Sequence, residues 1–148
     1  MPPAQGSVVS TGEVGASIKE FAEKYMKAYE ETFLTRDLDA LERLEDPDMV
    51  HHSVARGQDT LVGLAAHKQT IANMLNAIPD YVPELRYLTG ADDIFAISYK
   101  ARGTFTGTAP GFSTPTGKEV TLDYLYLFRV HEGRIAEGWY KGSTTGFS

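Results

Sequence analysis

Apolar residues recur at helical spacing early in this chain and at alternating spacing later. From Ser17 to Leu34, Ile18, Phe21, Tyr25, Ala28, Tyr29 and Phe33 fall on one side of a 3.6-residue period. Ser17 and Glu20 have the spacing of a capping box, so a long amphipathic helix is predicted there. A second, short helix is predicted over Asp37–Leu44, with Leu38, Leu41 and Leu44 on one side. It stops at Asp46-Pro47, because the residue before proline avoids the α region. Met49–Ser53 reads as a short strand. A third helix is predicted from about Asp59 to Ala77, ended by Pro79. Beyond Pro83 the period changes to two. Strands are predicted at Glu84–Thr89, Ile94–Thr106, Glu119–Val130 and Arg134–Lys141. Helices first and hairpins later indicate an α+β fold, with three N-terminal helices packed on a curved antiparallel sheet.

The turn at Glu132-Gly133 sets a register for the last hairpin. With those two residues at its centre, His131 opposes Arg134, Val130 opposes Ile135, Phe128 opposes Glu137 and Tyr126 opposes Trp139. One face then carries Tyr124, Tyr126, Phe128, Glu137 and Trp139; Asp123 lies on the other, unless a bulge turns it inward. Both faces are largely apolar. Helices can cover only one, so the second is expected to form a homodimer contact. The first has the look of a small-molecule pocket, and serves equally well as plain aromatic core.

Composition narrows the classes. The chain has 148 residues, 42% of them hydrophobic, no cysteine and a formal net charge of −6. Disulfides and thiolate chemistry are excluded. The acidic balance, without a basic patch, points away from nucleic acid. No apolar run approaches the roughly 20 residues of a membrane span, and no signal peptide is read at the start, so a cytoplasmic location is expected. Residues 1–16 read as a mobile lead-in and 17–148 as a single domain. Adjacent His51 and His52 cannot chelate one ion from a strand, so no metal is expected. A nucleophile elbow and a glycine-rich phosphate loop are both missing. Gly107–Gly117 reads as a pocket lip.

The segment Pro115-Thr116-Gly117-Lys118, followed by Leu127 through Trp139, resembles the SnoaL-like polyketide cyclases of the wider NTF2-like, cone-shaped superfamily. Asp48–Ser53, Ile78-Pro79-Asp80 and Gly103–Gly107 resemble further blocks of that family, and the likeness runs from about Ile18 to Ser143. It implies the NTF2-like cone. It also implies a cofactor-independent isomerase or cyclase acting on an apolar, carbonyl-bearing small molecule, such as an intermediate of polyketide natural-product biosynthesis. Three positions depart from the family pattern. Phe105 stands where it has a histidine, and Tyr126 and Ser143 where it has acids. The candidate catalytic residues are therefore His52, matched to the family register, Glu137, Asp123 and Tyr126. Glu137 is expected to have a pKa raised by burial. Substrate contacts are assigned to Tyr124, Trp139, Phe105, His51 and Phe128. His67 and His131 read as solvent-facing. A non-catalytic binding or accessory domain, and an epoxide hydrolase, remain alternatives.

Overall fold

A computed structural model describes residues 7–53 and 60–148, with side chains from Ser17 onward. Helix α1 spans Ser7–Thr35, starting ahead of the Ser17 cap that the spacing predicts. Its apolar side faces the sheet, with Ile18, Ala22, Tyr25, Met26 and Phe33 buried. The predicted second helix is only a 3₁₀ turn, Leu38–Leu41. Asp37 caps it by accepting from the Asp39 backbone N–H at 3.1 Å. Proline arrives too soon after it for an α-helix to propagate. Among the described residues two α-helices, not three, therefore pack on the sheet.

Strand β1, Glu45–Ser53, begins earlier than the alternation suggests and runs through Pro47. The predicted start of the third helix at Asp59 lies outside the described residues. Leu61–Val62 forms a short strand, β2, paired with β1, and α2 spans Leu64–Ala77. Gly63 joins them at φ 95°, a conformation open to glycine. The remaining strands are β3 (Val82–Ala91), β4 (Ile94–Thr104), β5 (Glu119–His131) and β6 (Arg134–Thr145).

The six strands form one sheet in the order β2-β1-β6-β5-β4-β3. All pairs are antiparallel except β1 with β6. Helix α1 lies across β3 and β4, and α2 packs on β1 and β2. Side chains between helices and sheet form the core: Phe95 and Ile97 from β4, Val120, Leu122 and Phe128 from β5, and Ile135 from β6.

The hairpin register holds for only two pairs. His131 opposes Arg134 and Val130 opposes Ile135, but the next pair is Arg129 with Glu137. Ala136 is the extra residue of a bulge, and every later residue of β6 changes face. Tyr126 opposes Tyr140 rather than Trp139, Phe128 opposes Gly138 rather than Glu137, and Asp123 opposes Ser143. Glu137 and Trp139 therefore leave the face on which the regular register places them. The bulge lies in β6, so it does not carry Asp123 inward.

Gly138 occupies the inner position that results. A Cβ there would stand 2.9 Å from the Phe128 ring and 3.1 Å from Cδ2 of His51. Gly138→Ala is expected to lower stability by about 1–3 kcal/mol through overpacking, read from urea unfolding. An unchanged midpoint would show that the two rings can move aside at no cost.

Candidate active site

Strand β1 lies beside β6, so its alternation decides which histidine faces the helices. His51 pairs with Gly138 and His52 with Trp139. His51 is therefore inward, buried to 5% exposure. His52 points to the opposite face, where Nε2 lies 2.6 Å from Glu137 and the ring stacks on Trp139. Arg129 approaches the same carboxylate at 3.3 Å. The hydrogen bond from His52, with that from Arg129, holds the Glu137 carboxyl below its ordinary pKa, although burial acts against it. This corrects the expectation of a raised value. Asp123 is exposed. Phe105 is fully buried but packs on Phe112 and Phe147, away from the cavity.

Tyr124, Tyr126, Phe128 and His51 do come together. A cavity of about 650 Å³, counted to its open mouth, is lined by Tyr29, His51, His67, Tyr81, Tyr99, Tyr124, Tyr126 and Tyr140, with Ile71 and Met74 of α2 among its apolar walls. A narrow space next to it, nearly filled by side chains, shares five of those walls and adds Tyr25 and Phe128. Parallel rings pave the sheet side: Tyr126 stacks on Phe128 at 5.4 Å and on Tyr140 at 5.3 Å. A larger groove along α1 passes Lys24, Lys27 and Arg43, but it holds no imidazole and no buried carboxylate.

Behind the cavity wall lies a group that sequence reasoning missed. Glu45, the first residue of β1, has no exposed surface. Its Oε2 accepts from the Tyr25 hydroxyl at 2.6 Å, and its Oε1 lies 2.7 Å from Nδ1 of His67. Burial pushes this carboxyl up. The charge and hydrogen bond of His67 and the Tyr25 hydroxyl outweigh it, and the pKa ends below the ordinary value. The Nδ1–H of His67 donates to the ionised Glu45, and in the neutral imidazole the lone pair then lies on Nε2. His67 lines both spaces, contrary to its reading as solvent-facing. The signal was present: Leu64, His67, Ile71 and Leu75 share one helical stripe, and Glu45 follows Leu41 and Leu44 in the same phase. Polar residues on an apolar stripe are the ones that need partners inside.

His51 stands beside this pair, its ring 4.9 Å from that of His67 and edge-on to it. Its Nε2 is buried with no hydrogen-bond partner, the only such side-chain atom among the described residues. Burial, and then the charge of His67, lower its pKa from 6.5 to about 3, against an opposing pull from Glu45. A buried imidazole and a buried carboxylate, set against phenols in an aromatic cavity, are the residue types that acid/base chemistry uses.

The sequence profile of the SnoaL-like polyketide cyclases matches residues 23–142. The chain belongs to that family. Its fold is shared with a SnoaL-like cyclase from Jannaschia sp. CCS1, proposed as such, at TM-score 0.70 and 16% identity, over 88% of each chain. AclR of Streptomyces galilaeus, a proposed hydroxylase, matches at TM-score 0.66 and 23% identity, over 86% of this chain and 79% of that one. IdmH of Streptomyces antibioticus, a proposed polyketide cyclase, matches at 0.64 and 24%, over 82% and 91%. A search of curated proteins finds no match. Among the described residues no helix is long and apolar enough to cross a membrane, and no cluster of three or more potential ligands could hold a metal ion.

The lowered pKa of His51 gives a signed pH dependence. The unfolded imidazole takes a proton more readily than the folded one, so this contribution is whole above about 6.5 and is lost as the pH falls toward 3. Glu45, held low, keeps its contribution until the pH falls below the ordinary carboxylate range. Between pH ~6.5 and ~4.5, stability is therefore expected to fall by roughly 2–3 kcal/mol on account of His51, at about 1.4 kcal/mol per pH unit. His51→Gln should flatten that segment by the same amount in urea denaturation. Parallel profiles for the two proteins would remove His51 as its source.

Proposed function

We propose that this chain catalyses proton transfer at a carbon next to a carbonyl, leading to isomerisation or intramolecular cyclisation of an apolar small molecule. The observation that carries this reading is the buried Glu45–His67 pair, set behind an aromatic cavity beside the unpartnered Nε2 of His51. His67 is the base. Its Nε2 takes the proton from carbon, and the C–H electron pair moves into the C=C bond of an enolate. Glu45 fixes the imidazole's tautomer and offsets the positive charge it gains. His51 meets a hydrogen-bond donor of the substrate. Tyr124 keeps its assigned contact with substrate, and Tyr126, a catalytic candidate by sequence, lines the same cavity. His52, Glu137 and Asp123 lie outside the cavity and receive no part in the chemistry.

Membership of the SnoaL-like family supports a cyclase or isomerase role. The lining favours proton transfer over opening of an epoxide. That reaction wants carboxylates bridged by arginine, and among the described residues no arginine or carboxylate lines the cavity. Imidazole, carboxylate and phenols suffice for the step.

The test is exchange of α-protons for deuterium in a planar, apolar β-diketone, followed by NMR in D₂O. The wild type is expected to accelerate exchange. His67→Gln should lower the rate by about 10²–10⁴-fold, the usual range for a general base, with a smaller loss for Glu45→Gln. Equal rates in wild type and both variants would overturn the assignment.

The outer sheet face supports a second proposal, a homodimer. Leu125 is 54% and Leu127 38% exposed, next to Trp139 and the His52–Glu137 pair. Both helices lie on the other side. Sedimentation at micromolar protein is expected to give a dimer for the wild type and a monomer for Leu127→Lys. A monomeric wild type would refute it.

A further inference from the structure

An enolate formed in this cavity needs a hydrogen-bond donor for its oxygen. Among the described residues no lysine or arginine lines either space. Thr70 donates back to the Ala66 carbonyl at 3.0 Å, and His67 gives its Nδ1–H to Glu45. His51 serves as an acceptor in the reading above. The donors that remain are phenols.

Those phenols differ in where their protons go. Tyr25 donates to Glu45. The hydroxyls of Tyr81 and Tyr99 share one short hydrogen bond, closed within the wall. The Tyr126 hydroxyl bonds to none of the described residues. It is not sealed in, because Nε2 of His51 is the only buried side-chain atom among them that lacks a partner. The Tyr126 oxygen therefore opens on the cavity with its proton unspent.

Its position is next to the base. Only five residues line both spaces, Tyr29, His51, His67, Tyr99 and Tyr126, and they mark the constriction where the two adjoin. The Tyr126 ring is 6.3 Å from that of His51, which is 4.9 Å from that of His67. Tyr124 and Tyr140 border the larger space alone. The Tyr126 ring is also clamped. Along β5 it lies between Phe128 at 5.4 Å and Tyr124 at 6.1 Å, with Tyr140 opposite at 5.3 Å. A donor held this way has little freedom left to lose on meeting a ligand.

We propose that Tyr126 is a catalytic residue whose O–H donates to the ligand's carbonyl oxygen as that oxygen gains negative charge. The ligand class is an apolar ketone or diketone whose carbonyl reaches the constriction. The step rests on the proton-transfer reading. His67 takes the proton from carbon, the C–H pair becomes the C=C bond, and the carbonyl π pair moves onto oxygen. Tyr126 bonds to that oxygen and keeps its own proton. Burial first, then the neighbouring phenols, push its pKa well above the ordinary phenol range, so the proton is not lost. A fixed donor of this kind acts on charge as it develops.

The donor is tested apart from the base by isotope-edited infrared spectra of carbonyl-labelled indanone bound to the protein. The wild type is expected to shift the carbonyl stretch below its value in an alkane solvent, and His67→Gln should shift it too. Tyr126→Phe should lose the shift and slow deuterium exchange about 10²–10³-fold, the usual cost of removing one such donor. Tyr29→Phe should keep the shift. Tyr87→Phe, outside both spaces, should match the wild type, and thermal unfolding checks that each variant is folded. A wild type without the shift, a Tyr126→Phe protein that retains it, or a shift lost with Tyr29 instead overturns the proposal. Exchange lost in His67→Gln, with neither readout changed in Tyr126→Phe, would sink the donor and spare the base. A Tyr126-dependent shift in a wild type that accelerates no exchange would do the reverse.

Discussion

A carboxylate with no exposed surface is the constraint around which this structure is arranged. Taking such a group out of water costs several kcal/mol unless its oxygens are satisfied, and losing one partner of a buried pair costs about 3–5 kcal/mol. Glu45 meets the requirement with two partners from two different helices, Tyr25 of α1 and His67 of α2. The first residue of β1 thereby binds both helices to the sheet. Apolar packing alone would tolerate small rotations of α2. A hydrogen bond of 2.7 Å to a buried carboxylate does not, and this fixes the imidazole in the cavity wall.

The aromatic cavity follows from that arrangement. Tyr25, Tyr29 and Phe33 line one side of α1; Tyr25 and Tyr29 face rings from β5 and β4, and Phe33 packs on Tyr81. Phenols suit such a wall, because each combines a large apolar body with one polar atom that must find a partner. Tyr25 finds Glu45, and Tyr81 and Tyr99 find each other. The exception is Nε2 of His51, left without one. A buried polar atom without a partner is a cost that a ligand can remove, and the same wall then both stabilises the fold and invites a guest.

The two sheet faces differ in chemistry because of one residue. Ala136 is the bulge that places Glu137 and Trp139 outside and Gly138 and Tyr140 inside. On the outer face His52, Arg129 and Glu137 form an ion-paired group beside exposed leucines. On the inner face His51 lies over Gly138, where a glycine leaves room for its ring. Adjacent histidines on one strand thus have opposite environments, one paired and half-exposed, the other buried and low in pKa.

Much of the fold was legible in the chain. The period changes from 3.6 to two after Pro83, and that change predicts helices followed by a sheet. The hairpin turn at Glu132-Gly133 and the aromatic strand Tyr124–Phe128 also follow from local chemistry, as does the family likeness of the segment ending at Trp139. The second helix failed because three leucines at helical spacing cannot sustain a helix that short. The site was legible only in part. Tyr124, Tyr126 and Phe128 were grouped by alternation along one strand, and alternation is a local property. Glu137 and Trp139 were misplaced because a face depends on register, and a bulge at Ala136 leaves no mark that a period of two can detect; His52 was misplaced because alternation does not say which of two adjacent residues faces inward. Glu45 and His67 are 22 residues apart in the chain and belong to different elements. Sequence by itself determined that each sits on an apolar stripe; only the tertiary structure decided that they meet, because pairing across that distance is set by how helix and sheet pack.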